Sequence, residues 1–143
     1  MARGSATAIA VAVVTDGEMV LVGRRSADAR EAPGRAEFPG GKQLPGEDPA
    51  TAAARECFEE TGIAVVVGAE IARVPSAAGD SVLEITFVAA TPVDRAAAPR
   101  APFRWVARGD LASLPFPAAN AAVVARLVAA ATHGGSSPPG CQG

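Results

Sequence analysis

Apolar residues come in short runs broken by turn formers. Ile9 to Val14 is one unbroken run and Met19 to Val22 is a second, with Asp16-Gly17 between them. Two β-branched runs around Asp-Gly predict a β-hairpin. Residues 26–41, rich in Ala, Gly, Pro and charge, read as a loop. Asp48 is a natural N-cap and Pro49 suits the first helical position. Ala50 to Thr61 holds no helix breaker, and Gly62 supplies a left-handed cap, so a helix is expected between them. Ile63 to Val67 returns to a strand pattern. Further strands are expected at Ala69–Val74, Val82–Ala90 and Phe103–Val106. Ala121 to Thr132 reads as a second helix with Val124, Leu127 and Val128 on one face. The tail Gly134 to Gly143 has no core-forming side chains and is expected to be disordered. Mixed strands and helices within one domain, residues 1–133, predict an α+β or α/β/α layered fold.

Composition narrows the function. A chain of 143 residues, 49% hydrophobic and 20% charged, can bury a core of its own. A net charge of −2 with a pI near 5.4 disfavours a nucleic-acid polymer as partner. No apolar run approaches the ~18 residues of a membrane-spanning helix. Arg3 and the apolar run after it resemble a signal peptide, but Asp16-Gly17 cuts that run short, and the hairpin is the better reading. Cys57 and Cys141 are too few for a disulfide scaffold or a structural zinc site, which fits a reducing, cytoplasmic setting. The one histidine, His133, stands near the chain end. Acid–base or metal work therefore falls to carboxylates.

Three carboxylates stand out. At about 100° per residue, Glu59 lies about 60° to one side of Glu56, and Glu60 about 40° to the other. Ala53, Ala54, Cys57, Phe58 and Thr61 form the neighbouring apolar face, expected to pack on a sheet. Like charges one turn apart repel, and the cost rises as they are desolvated. A hard divalent cation removes that cost, and Mg²⁺ or Mn²⁺ keeps waters that substrate phosphates can replace. The cluster thus suggests metal-assisted chemistry at phosphorus. Taken alone, the same pattern also suits a solvated acidic helix face. The surroundings favour the metal: Gly40-Gly41 precedes the helix and permits close backbone approach, and Arg55 can pair with Glu59 and with Glu47.

Gly41, five residues, Glu47, seven residues, then Arg55-Glu56-Cys57-Phe58-Glu59-Glu60-Thr61-Gly62-Ile63 resembles the Nudix box at every specified position. Cys57 replaces the usual larger aliphatic residue and should pack in its stead. The resemblance implies an α/β/α sandwich with a mixed sheet and a catalytic loop–helix–loop. It implies hydrolysis of nucleoside diphosphates linked to another moiety, with Mg²⁺ or Mn²⁺ as cofactor. Carried over by position, Glu56, Glu59, Glu60 and the carbonyl of Gly40 look like the metal ligands, and Glu56 like the general base. Glu47 and Arg55 look like a pair that orients the helix, and Gly62 looks structural.

Arg24-Arg25-Ser26-Ala27-Asp28-Ala29, Glu37-Phe38-Pro39-Gly40-Gly41-Lys42 and Phe116-Pro117-Ala118-Ala119-Asn120 are similar to the MutT subgroup, which clears oxidised purine nucleoside triphosphates. That implies phosphate contacts for Arg25 and Lys42, and reading of an 8-oxoguanine base by Asn120, whose amide both donates and accepts. Asn120 could otherwise cap the last helix, and Phe38 could be core or a pocket wall. Trp105 reads as core. Two departures stand out. Pro99 occupies the position, six residues before Trp105, where the subgroup has a glutamate near the metal. Glu84 and Thr86 stand where it has large apolar side chains, which predicts an altered base pocket. The expected activity is hydrolysis of a nucleoside triphosphate, 8-oxo-dGTP foremost, to the monophosphate and pyrophosphate. The alternatives are CTP or a modified pyrimidine triphosphate as substrate, or a nucleotide sensor without catalysis. No particular oligomeric state is implied.

Overall fold

The first apolar run becomes a strand with partners along both edges. A computed structural model describes residues 6–28, 34–78 and 80–131. In chain order its strands and helices are β1 (Thr7–Asp16), β2 (Met19–Arg24), β3 (Ala36–Glu37), β4 (Gly40–Lys42), α1 (Pro49–Thr61), β5 (Val65–Ala78), β6 (Ser81–Pro92), β7 (Arg104–Ala107) and α2 (Ala121–Ala129). Two short 3-10 helices, Arg108–Ser113 and Ala118–Asn120, lie between β7 and α2. One edge of β1 runs parallel to β6, from Thr7 opposite Leu83 to Val14 opposite Ala90. Its other edge is shared. Antiparallel β4 takes Ile9 to Val11, and β2 takes Thr15 and Asp16. The predicted hairpin therefore exists, but its ladder is two pairs long. Gly17 closes it at φ +61°, a left-handed value that glycine adopts without a Cβ clash. β5 pairs antiparallel with β6, and β3 and β7 flank β2, giving one mixed sheet of seven strands.

Alternation along the strands sorts the core into two halves. Ala10, Ala12, Val14, Val88 and Ala90 face α1, where Ala52, Ala53 and Cys57, with Ile63 just past the helix end, cover them. The alanines on both sides let the helix approach closely. Val13, Val20, Val22 and Phe87 face the opposite way, beneath Leu111, Val123 and Leu127. The molecule is thus an α/β/α sandwich, as expected. Among the described residues no helix is long and apolar enough to cross a membrane.

The capping expectations for α1 hold. The Asp48 carboxylate accepts from the Thr51 amide at 2.7 Å, and Gly62 takes φ +78° with its N–H on the Phe58 carbonyl. Cys57 is fully buried, and Trp105 packs partly buried against the same core.

Other expectations need correction. Phe58 does not pack on the sheet; it is 56% exposed. The buried stripe is Ala52, Ala53, Cys57 and Thr61, and Phe58 lies about 100° beyond Cys57, outside it. Residues 26–41 are not all loop: they contain β3 and the start of β4, strands too short for alternation to register. The two strands expected at Ile63–Val67 and Ala69–Val74 are one, β5, whose register shifts between Val67, Glu70 and Ala72 take up Gly68 and its neighbours. α2 ends at Ala129 and buries Val123 and Leu127, with Val124 and Val128 partly buried. Thr132, His133, Cys141 and the tail Gly134–Gly143 lie outside the described residues.

Candidate active site

The loop before α1 is built around one ion pair. Arg55 meets Glu47 side-on, Nε to Oε2 at 2.8 Å and Nη2 to Oε1 at 2.9 Å. This bidentate geometry is the strongest that a guanidinium makes with a carboxylate. Glu47 also accepts the Leu44 amide at 2.8 Å, and Arg55 Nη2 reaches the Lys42 carbonyl at 3.1 Å. The Arg55 hydrogen bonds, foremost, and the Leu44 amide hold the Glu47 carboxyl down to about 2. Arg55 is pushed up from its usual value by the same pair. Its Nη1 lies 3.2 Å from both Glu56 Oε2 and Glu59 Oε1. Arg55 thus joins the loop to the acidic side of the helix, and both pairings expected from spacing are present.

The two glycines let β4 run directly against that acidic side. A Cβ on Gly41 would come within 2.5 Å of the Glu56 carboxyl carbon, so the carboxylate occupies the space a side chain would need. A Cβ on Gly40 would meet the Ala10 carbonyl at 2.5 Å. The Gly40 N–H donates to Glu60 Oε1 at 3.1 Å. Glu56 and Glu60 are half-buried, whereas the Glu59 side chain is 55% exposed. Burial pushes Glu60 up to about 7; the Gly40 amide opposes it, and the like charges of Glu37 and Glu56 add to it. Among the described residues, no three Asp, Glu, His or Cys side chains converge at metal-ligand spacing. Glu56 and Glu59 are drawn to Arg55 and Glu60 to Gly40.

On the other face of the sheet lies a cavity of about 230 Å³. Ile9, Val11, Leu83 and Ile85 give it apolar walls; Arg25, Glu37, Ser76 and Asn120 give it polar groups. Phe38 and Gly40 line it too, so four of the expected substrate and metal residues, Arg25, Phe38, Gly40 and Asn120, come together. Phe38 is both core and wall: it is 4% exposed and stacks on Phe116 with ring centroids 4.8 Å apart. Asn120 opens α2, yet its side chain makes no capping hydrogen bond, which leaves the amide available to the cavity. Arg25 Nη1 pairs with Glu37 Oε1 at 3.3 Å. Burial raises the Glu37 carboxyl, and Arg25 opposes the rise. Lys42 is exposed at the end of β4 and does not line the cavity. The altered pocket expected from Glu84 and Thr86 is also corrected. They share the strand face of Val88 and Ala90, toward α1, while the alternate residues Leu83 and Ile85 line the cavity.

The family model for the NUDIX domain matches residues 5–127. The chain belongs to the NUDIX family. No curated protein matches it. Among solved structures, the MutT protein from Methanosarcina mazei Go1 is similar at a TM-score of 0.72 and 23% identity, over 87% of this chain and 94% of that one. The E. coli ORF135 protein gives a TM-score of 0.71 at 22% identity, over 90% of this chain and 93% of that one. A structure of MutT, described for Aliivibrio salmonicida and Vibrio cholerae, gives 0.68 at 28% identity, over 90% and 98%. The fold is MutT-like, and the chain is a Nudix hydrolase.

Nudix hydrolases generally use divalent cations, commonly Mg²⁺. The residues here suit such an ion. The donors around Gly40 are all oxygens, and Glu60 is a half-buried carboxylate facing two like charges, a cost that a cation would offset. Two residues of the cavity escaped the sequence reading. Glu37 stands within a quoted motif, but only the fold turns it toward the cavity and Arg25. Ser76 comes from the far end of β5 and carried no signal.

Proposed function

We propose that this Nudix hydrolase cleaves a nucleoside triphosphate to the monophosphate and pyrophosphate, with 8-oxo-dGTP as the preferred substrate. The observation that carries the reading is the position of Gly40. It lines the cavity on one face of the sheet, and its N–H bonds to Glu60 on the other. A nucleotide with its base in the cavity has its phosphates beside the carboxylates of α1.

The residues divide the work as follows. Glu56, Glu59, Glu60 and the Gly40 carbonyl hold Mg²⁺ or Mn²⁺. When bound, the ion supplies charge neutralisation and Lewis acidity at phosphorus. Glu56, packed on Gly41, takes the proton of the attacking water as a new P–O bond forms and the bond to the pyrophosphate oxygen breaks. Glu47 and Arg55 keep Glu56 in place through their own hydrogen bonds. Arg25 and Lys42 steady phosphate oxygens. Phe38 walls the base, and Asn120, free of any capping duty, reads its edge.

The test is pyrophosphate release from a panel of purine, pyrimidine and 8-oxo nucleoside triphosphates with Mg²⁺. Release that EDTA abolishes and that favours 8-oxo-dGTP supports the reading. Faster turnover of CTP would move the substrate, and nucleotide binding without turnover would end the enzymatic assignment.

A further inference from the structure

The C-terminal end of α1 is tied down by a residue outside the box. A helix leaves its last four carbonyls without intrahelical partners. In α1 the Phe58 carbonyl receives the Gly62 N–H at 2.9 Å. The Glu59 carbonyl receives Arg100 Nη1 at 2.8 Å, and the Thr61 carbonyl receives the Arg100 backbone N–H, also at 2.8 Å. One residue, 41 positions after Glu59, thus closes two of the open acceptors. Its Nη2 lies 3.5 Å from where a Gly62 Cβ would stand, so the planar group spans the helix end. There its positive charge meets the negative pole of the helix dipole. Arg100 is itself anchored: its carbonyl accepts the N–H of Phe103 at 3.0 Å, and Phe103 is only 7% exposed within the α1-side core.

We propose that Arg100 is the positioning residue for the carboxylates on the last turn of α1. By fixing the main chain at Glu59 and Thr61 it sets the rotation of that turn. Glu60 then meets the Gly40 amide, and Glu59 stands one turn on from Arg55. The inference rests on the reading of Glu56, Glu59 and Glu60 as cation ligands. It adds that the ligand geometry is set from the segment between β6 and β7, through the main chain, and without any contact between Arg100 and substrate.

Arg100→Ala, Arg100→Lys and Arg95→Ala test it. Arg95 lies in the same segment and pairs with Asp16 at 2.8 Å, so it controls for loosening of that segment alone. Mn²⁺ binding to each folded protein is measured by electron paramagnetic resonance, beside thermal melts and the Mg²⁺ dependence of pyrophosphate release. The expected result is a Kd for Mn²⁺ raised about tenfold in Arg100→Ala, the low end for groups that orient metal ligands. The Mg²⁺ half-saturation point should move with it, while KM for nucleotide at saturating Mg²⁺ holds. Lysine, which can still donate to the Glu59 carbonyl, should recover part of the loss. Arg95→Ala should bind Mn²⁺ as the wild type does. A wild-type Kd in Arg100→Ala overturns the inference, whatever the melting temperature does. If that variant does not fold, Arg100→Met, which keeps an unbranched stem but cannot donate to the Glu59 carbonyl, decides: a raised Kd supports the inference and an unchanged one overturns it. Failure of the wild-type protein itself to bind Mn²⁺ would overturn both the inference and the reading beneath it.

Discussion

The two faces of the sheet carry two kinds of site. Toward α1, charged groups are locked to each other and to main chain: Arg55 engages Glu47, Glu56 and Glu59, and Glu60 accepts from Gly40. Toward α2, the walls are apolar, and a few polar groups, Arg25, Glu37, Ser76 and Asn120, line an open cavity. The same strands serve both. In β6, Val88 and Ala90 pack under α1, while Leu83 and Ile85 line the cavity. In the proposed reading, chemistry and recognition are separated by one strand's alternation and still meet at β4, where a pair of glycines keeps the separation thin.

The largest break in this comparison should come from Glu56→Gln. The amide keeps the shape against Gly41 but no longer accepts a proton at neutral pH. Turnover should fall by about 10²–10⁴-fold, the range for loss of a general base. KM at saturating Mg²⁺ should change little, because the cavity is untouched. Steady-state kinetics on a variant with a native melt checks this, and wild-type turnover would remove the chemistry from the α1 face. A smaller effect belongs to the other face. Asn120→Ala removes one side chain's hydrogen bonds from the cavity. A hydrogen bond is worth about 0.5–1.5 kcal/mol net, so the kcat/KM ratio of 8-oxo-dGTP to dGTP should fall about two- to thirteenfold. Mg²⁺ dependence should stay fixed. An unchanged ratio would leave base recognition to Glu37, Ser76 or Phe38.

The α1 face was also the more legible one. Its determinants are local: Asp48, Pro49 and Gly62 bound the helix by capping rules, and Glu47 and Arg55 pair across a single loop. Even there, a helical wheel centred on the glutamates placed Phe58 inside, because it could not weigh the alanine stripe that chooses the buried side. The cavity draws on β1, Arg25 just after β2, the β3–β4 segment, the end of β5, the first half of β6 and the turn before α2. No sequence spacing joins Ser76 to Asn120. The direction in which Glu84 and Thr86 point depends on a strand register fixed by tertiary pairing. Arg100 was invisible for the same reason, since its partners on α1 become neighbours only when β6 has crossed the sheet.

The smallest effect concerns how firmly the α1 face is locked. Glu47 carries a carboxyl held at about 2, against an ordinary 4.5, by Arg55 and the Leu44 amide. A depressed folded-state value means that the ionised carboxylate stabilises the fold. The contribution is complete above about pH 4.5 and is lost as pH falls from there toward 2. Other carboxylates titrate over the same span, so the informative quantity is the difference between the wild type and Glu47→Gln in urea unfolding. That difference should be nearly constant from pH 7 to 5, then shrink and level off below pH 2, where the carboxyl is protonated in both states. It should be modest in size, because the Arg55 side chain is 25% exposed and water competes for the pair. Asp48→Asn, in which the neighbouring cap keeps an acceptor oxygen for the Thr51 amide, should leave the Glu47 contribution unmoved, which separates the ion pair from the cap beside it. A difference that does not vary with pH would mean that Glu47 acts through its shape and its Leu44 hydrogen bond alone. The α1 face would then be held as the cavity face is, by packing more than by charge.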